Sequence, residues 1–179
     1  MKIAVVALGK IGLPLAVQFA NKGHQVIGCD VNQKTVDLIN AGTEPFPGEA
    51  HLQEHLSKVI KSGNLIATTD TQDAVSKSET VVVVVPLFVD EQGVPDFGWM
   101  DAATEKIGAG LKPGTLVSYE TTLPVGTTRN RFAKALEKAS GLTAGKDFTL
   151  VFSPERVLTG RVFACLLYTS PSPRDGLLS

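Results

Sequence analysis

Residues 1–14, Met1-Lys2-Ile3-Ala4-Val5-Val6-Ala7-Leu8-Gly9-Lys10-Ile11-Gly12-Leu13-Pro14, decide the fold. The apolar, β-branched run from Ile3 to Leu8 reads as a strand, Gly9 and Gly12 punctuate a tight turn, and a helix opens behind them. Working outward, further runs read as strands: Val26 to Gly28, Leu65 to Thr68, Val81 to Val85, Leu116 to Tyr119 and Thr149 to Phe152. Stretches such as Val81-Val82-Val83-Val84-Val85 lack inside/outside alternation, so both faces of the strand are covered and the sheet is parallel. Between strands, three stripes have helical spacing: Leu52, Leu56, Val59 and Ile60; Met100, Ala103, Ile107 and Leu111; Phe132, Ala135, Leu136 and Ala139. Gly42, Gly63 and Gly141 follow helical segments as stop signals.

The pattern predicts an α/β fold: a doubly wound, mainly parallel sheet of Rossmann type with helices on both faces. Right-handed crossovers put ligands at the carboxyl ends of the strands. Function is therefore expected in the loops after Leu8, Asp30, Val85, Tyr119 and Phe152. The 179 residues suit one domain with a substantial core. A net charge of -1 without a basic patch argues against nucleic acid. The run from Val81 to Val89 contains Pro86 and is far shorter than the roughly 20 residues a membrane span requires. Cys29 and Cys165 have no metal or redox spacing, which makes a reducing cytoplasm the default.

Ala7-Leu8-Gly9-Lys10-Ile11-Gly12 is the dinucleotide fingerprint with its first glycine replaced by alanine. Gly9 lets backbone amides approach a pyrophosphate and Gly12 lets the helix pack on the strand, while Ala7 adds only a methyl at the turn. Asp30 ends the second strand 18 residues after Gly12, where a carboxylate accepts from an adenosine ribose and repels a 2′-phosphate. The pair points to NAD rather than NADP. Asp30 or Asn32 could equally cap the helix that follows.

Gly9-Lys10-Ile11-Gly12-Leu13-Pro14 with Asp30, then Glu120-Thr121-Thr122-Leu123-Pro124-Val125-Gly126-Thr127-Thr128, then Ser153-Pro154-Glu155-Arg156-Val157, resembles the UDP-glucose/GDP-mannose dehydrogenase family in order and spacing. The resemblance covers residues 1 to about 164, that family's amino-terminal domain. It implies NAD held by Gly9, Lys10, Ile11, Gly12, Asp30, Pro86 and Thr122, with Thr122 beside the nicotinamide and the catalytic water and Glu155 assisting water or proton transfer. It also implies a parent enzyme that oxidises the C6 alcohol of a UDP-sugar to the uronate through a thioester on a cysteine. Neither Cys29 nor Cys165 stands where that nucleophile does, so the chain alone is expected to show no turnover. Arg156-Val157-Leu158 leans toward the UDP-N-acetylhexosamine branch. The parent is expected to be a homodimer joined through its central domain, and this piece a monomer. From the residues alone, Thr122 could be a turn hydroxyl and Glu155 a surface partner of Arg156 or Arg161.

The stretch from Cys165 to Gly176 has no period of either kind and is punctuated by Pro and Ser, so residues 165–179 read as a non-native tail. His51-Leu52-Gln53-Glu54-His55 spells an inverted zinc-protease signature, weighed against a polar helix face without a distal ligand. Gly42 to Glu49 is a proline-rich connection for which only mobility is expected. Two rival functions stand beside the leading one: a 6-phosphogluconate or β-hydroxyacid type dehydrogenase, and a non-catalytic NAD-sensing module.

Overall fold

Every β-strand sends successive side chains to opposite faces, so a continuous apolar run has to serve two cores at once. The computed structural model, which describes residues 1–154, 160 and 162–165, shows this directly. In chain order the elements are β1 (Lys2–Val6), α1 (Gly12–Asn21), β2 (Gln25–Cys29), α2 (Gln33–Asn40), α3 (Leu52–Lys61), β3 (Leu65–Thr68), α4 (Thr71–Ser76) and β4 (Thr80–Val83). There follow a small hairpin of β5 (Phe88–Val89) and β6 (Pro95–Asp96), then α5 (Gly98–Gly110) and β7 (Leu116–Tyr119). A π-helical turn, Thr128–Phe132, leads into α6 (Ala133–Ser140), and β8 (Thr149–Phe152) and α7 (Val162–Cys165) close the described chain.

Six strands form one sheet in the order β3-β2-β1-β4-β7-β8, every neighbouring pair parallel. Ile3 and Val5 of β1 and Val82 of β4 face the layer of α1 and α3, where Leu13, Val17, Leu52 and Leu56 are buried. Ala4, Val6, Val81 and Val83 point the other way, onto Met100, Ile107, Phe132 and Leu136 of the α5 and α6 layer. Tyr119 lies fully buried there, its ring stacked on Phe132 at 4.6 Å and its hydroxyl 2.6 Å from that of Thr104. The glycine stops hold: Gly42, Gly63 and Gly141 all adopt positive φ, near 72°. Edge strand β3 is covered by a side chain, because the Asn40 amide donates to the Ala67 carbonyl at 2.9 Å and accepts its N–H at 2.8 Å.

The differences from the sequence reading are local. Strand β1 stops at Val6 instead of Leu8, since Ala7 turns into the left-handed region at φ 77°. The hairpin and α4 carry no sequence signal, because strands of two residues and a helix of six are too short to show a period. Among the described residues no cluster of metal-ligating side chains forms around His51 and His55. His51 occupies the N-cap position of α3 at φ 64° without a capping bond from its side chain, while His55 stacks on Phe163 at 4.8 Å and meets Asn21 at 3.2 Å.

Candidate cofactor site

The loop between β1 and α1 is fixed from three sides. The Ala7 N–H donates to the Cys29 carbonyl at 2.8 Å, which carries the β1–β2 pairing one residue past the strand. Gly12 presses α1 against the turn so closely that a Cβ there would stand 1.9 Å from the Ala7 carbonyl oxygen. Asp30 supplies the third hold. Its Oδ2 accepts the Leu8 N–H and its Oδ1 the Asn32 N–H, both at 2.9 Å. Asn32 itself caps α2 by accepting from Lys34, which decides the helix-cap question in favour of Asn32.

The expectation that Ala7 adds only a methyl is corrected by its φ of 77°. The position needs the conformation that glycine adopts freely, and an L-residue there is strained. Alanine is held in it because Gly12 and Cys29 grip the peptide on both sides.

The residues present fit a dinucleotide. A Cβ added at Gly9 would meet no atom within 4 Å, so the space outside the loop is open where a pyrophosphate approaches the amino end of α1. Each Asp30 oxygen has one acceptor position left after its amide bond, enough for two ribose hydroxyls. Lys10 is exposed and lines a cavity of about 80 Å³ with Phe46, Pro47, Gly48, Glu49 and Gly160. Ile11 is half-buried at the start of α1.

Across the sheet, Pro86 is exposed just past β4 and Thr122 just past β7. Thr122 donates no hydrogen bond to a described residue. Its neighbour Thr121, to which no sequence motif points, donates its hydroxyl to the Val85 carbonyl at 2.7 Å. That bond ties the loop after β7 to the loop after β4 and leaves the Thr122 hydroxyl available. Glu155, with Arg156, Val157 and Leu158, lies outside the described residues. Cys29 is buried, and desolvation, with Asp70 and Asp30 nearby, pushes its thiol up to about 12. A thiol so placed is protonated at neutral pH and unreactive.

The comparisons agree with this geometry. The model of the UDP-glucose/GDP-mannose dehydrogenase family, NAD binding domain, matches residues 1–169. The chain is 36% identical over 171 residues to UDP-N-acetyl-D-mannosamine dehydrogenase of Pyrococcus horikoshii, covering 95% of this chain and 40% of that protein. It is 37% identical over 160 residues to UDP-N-acetyl-D-glucosamine 6-dehydrogenase of Pseudomonas aeruginosa, covering 89% of this chain and 36% of that one. A ternary complex of GDP-mannose dehydrogenase from Pseudomonas aeruginosa superposes with a TM-score of 0.89 at 28% identity, over 99% of this chain and 43% of that one. The chain thus spans about two fifths of the length of these relatives. With a strand-turn-helix open at Gly9, a carboxylate at the end of β2 and these likenesses together, the chain belongs to the UDP-glucose/GDP-mannose dehydrogenase family as its NAD-binding domain.

Proposed function

We propose that this chain is the cofactor-carrying part of a nucleotide-sugar 6-dehydrogenase whose substrate is a UDP-N-acetylhexosamine. The observation that carries the reading is Asp30, which stands at the end of β2 with both oxygens on loop amides and acceptor capacity to spare. Gly9, Lys10, Ile11 and Gly12 would take the pyrophosphate, Asp30 the adenosine ribose, and Pro86 the loop beside it. NAD supplies the hydride acceptor. Thr122 would orient the nicotinamide end and a water, and Glu155 would take a proton from that water when the thioester is hydrolysed. The branch preference rests on Arg156-Val157-Leu158 and on the relatives, two of which are named for N-acetylated UDP-sugars. The nucleophile is proposed to lie in a part of the parent beyond the NAD-binding domain: Cys29 is buried in the sheet, and Cys165 stands outside the motifs that resemble the family.

The parent is proposed to be a cytoplasmic homodimer and this chain a monomer. No helix among the described residues is long and apolar enough to cross a membrane. Residues 165–179 are proposed to be foreign to the domain; a genomic reading frame that runs through them into a cysteine-bearing second domain would overturn that.

Calorimetry tests the cofactor assignment. NAD should bind the chain at least about tenfold more tightly than NADP, and Asp30→Ala should erase the difference. Equal affinities in the unaltered chain would defeat the role given to Asp30. Oxidation of any UDP-sugar by the 179-residue chain would refute the placement of the nucleophile elsewhere.

A further inference from the structure

Glu49 is a carboxylate only 7% exposed, in a loop whose sequence promised nothing more than mobility. A buried carboxylate is costly unless its oxygens are met by donors. Here both are: Oε2 accepts the Gly160 N–H and Oε1 the Val162 N–H, each at 2.7 Å. The contact is fitted on both sides. The Ala50 N–H reaches back to the Gly160 carbonyl at 3.4 Å, and a Cβ on Gly160 would press within 3.0 Å of the Gly48 carbonyl oxygen. Gly48, His51 and Gly160 all take positive φ, at 108°, 64° and 87°. The backbone on each side therefore bends to bring carboxylate and amides together. Beyond the junction Val162 is fully buried and Phe163 packs with the α1 and α3 layer.

The two described points that flank the stretch bearing Glu155 in sequence, Ser153 and Gly160, belong to opposite halves of the sheet. Strand β8 is the outermost strand of one half, and the Ser153 N–H is held by the Tyr119 carbonyl at 2.9 Å. Glu49 sits in the other half, lining the same cavity as Lys10 of the loop after β1. The chain that leaves Ser153-Pro154 is thus fastened again at Gly160, on the far side of the sheet's functional edge. Glu155 lies in sequence between these fixed points.

We propose that Glu49 is a positioning residue that acts through the Gly160 and Val162 amides to fix the far end of the stretch bearing Glu155. This rests on the role proposed above for Glu155. A carboxylate suits the task because it presents two acceptors to two N–H groups. The isosteric amide of a glutamine side chain presents one acceptor and turns donors toward the other N–H.

The test uses the full 179-residue chain, with amide exchange resolved at single residues by NMR and tryptic cleavage measured under native conditions. In Glu49→Ala, exchange at Gly160 and Val162 should rise about 10- to 100-fold, and cleavage after Arg156 by a similar factor. Exchange of Val5 and Val82 in the sheet core should stay within about twofold. Glu49→Gln should restore protection at one of the two amides and not at both. Gln53→Ala, which frees the start of the same loop at Gly42 and Glu44, should leave both protected. The proposal is overturned if the two amides do not respond, if all amides rise together, or if exchange rises without faster cleavage after Arg156. Glu155→Gln should leave both amides protected, so a failure of the chemistry given to Glu155 is separable from a failure of the anchor.

Discussion

Replacing Ala7 by glycine is expected to stabilise the domain, although it removes a side chain and loosens the unfolded chain. The strain of an alanine at φ 77° is roughly 1–2 kcal/mol. Glycine gives back about 0.4–1 kcal/mol through the entropy of the unfolded state. The half-buried methyl contributes about 0.3 kcal/mol more on the losing side. The balance is a gain of about 0.5 kcal/mol, or a rise of about 1–2 °C in the unfolding midpoint for a domain of this size. The gain survives only if the turn cannot relax in the parent, and the contact between Gly12 and the Ala7 carbonyl is what prevents relaxation. Differential scanning calorimetry of the chain and of Ala7→Gly measures it, with urea unfolding to confirm an unchanged slope. Ala16→Gly, inside α1 and fully buried, serves as the control and should lower stability by about 1 kcal/mol. A lower midpoint in Ala7→Gly would refute the assignment of strain to Ala7.

Other substitutions probe other joints. Gly12→Ala should cost about 3 kcal/mol or prevent folding, read from urea unfolding, because the added methyl overlaps the Ala7 carbonyl. Asn40→Ala should cost about 1–3 kcal/mol and raise amide exchange at Ala67, since the edge of β3 loses its side-chain partner. Cys29 makes the domain sensitive to alkali. Its folded pKa lies above the ordinary value, so its contribution is fully present below pH 9.0 and is lost as pH rises toward about 12. By pH 10 that loss is on the order of 1 kcal/mol, and Cys29→Ala should show a correspondingly shallower fall in stability between pH 8 and 10.

The sheet was legible because its signal is the simplest in the chain. Val81 to Val85 has to feed two cores, and no other arrangement covers both faces of so apolar a strand. The place of Asp30 just after β2 was legible for a similar reason, at a fixed distance from a glycine turn. What the residue pattern could not show was how the polar groups divide their bonds. Asp30 and Asn32 are both plausible caps in sequence, and only the fold reveals that Asn32 caps while Asp30 holds the loop after β1. Thr121 and Thr122 are chemically alike, and it is the position of the Val85 carbonyl that assigns one to structure and leaves the other exposed. Glu49 was invisible for a different reason. Its partners are the amides of Gly160 and Val162, more than a hundred residues on, and backbone amides leave no mark on a sequence.

The places where this chain breaks local rules also fall on one edge of the sheet. Ala7 adopts a glycine conformation immediately after β1, and His51 does so at the loop that shares a cavity with Lys10. Glu49 is a buried acid in that loop, and the π-helical turn follows the threonine loop after β7. Exposed apolar side chains gather there too: Val31 after β2, Phe88, Val89 and Trp99 after β4, and Val125 after β7. At the opposite edge the strands are entered through ordinary turns, with Gly23, Gly63 and Gly114 supplying the positive φ. Departures from local preference persist where other demands outweigh stability. Their confinement to the carboxyl edge is thus an argument for that edge as the cofactor face which does not depend on the glycine fingerprint, the weakest part of the motif once Ala7 has replaced its first glycine.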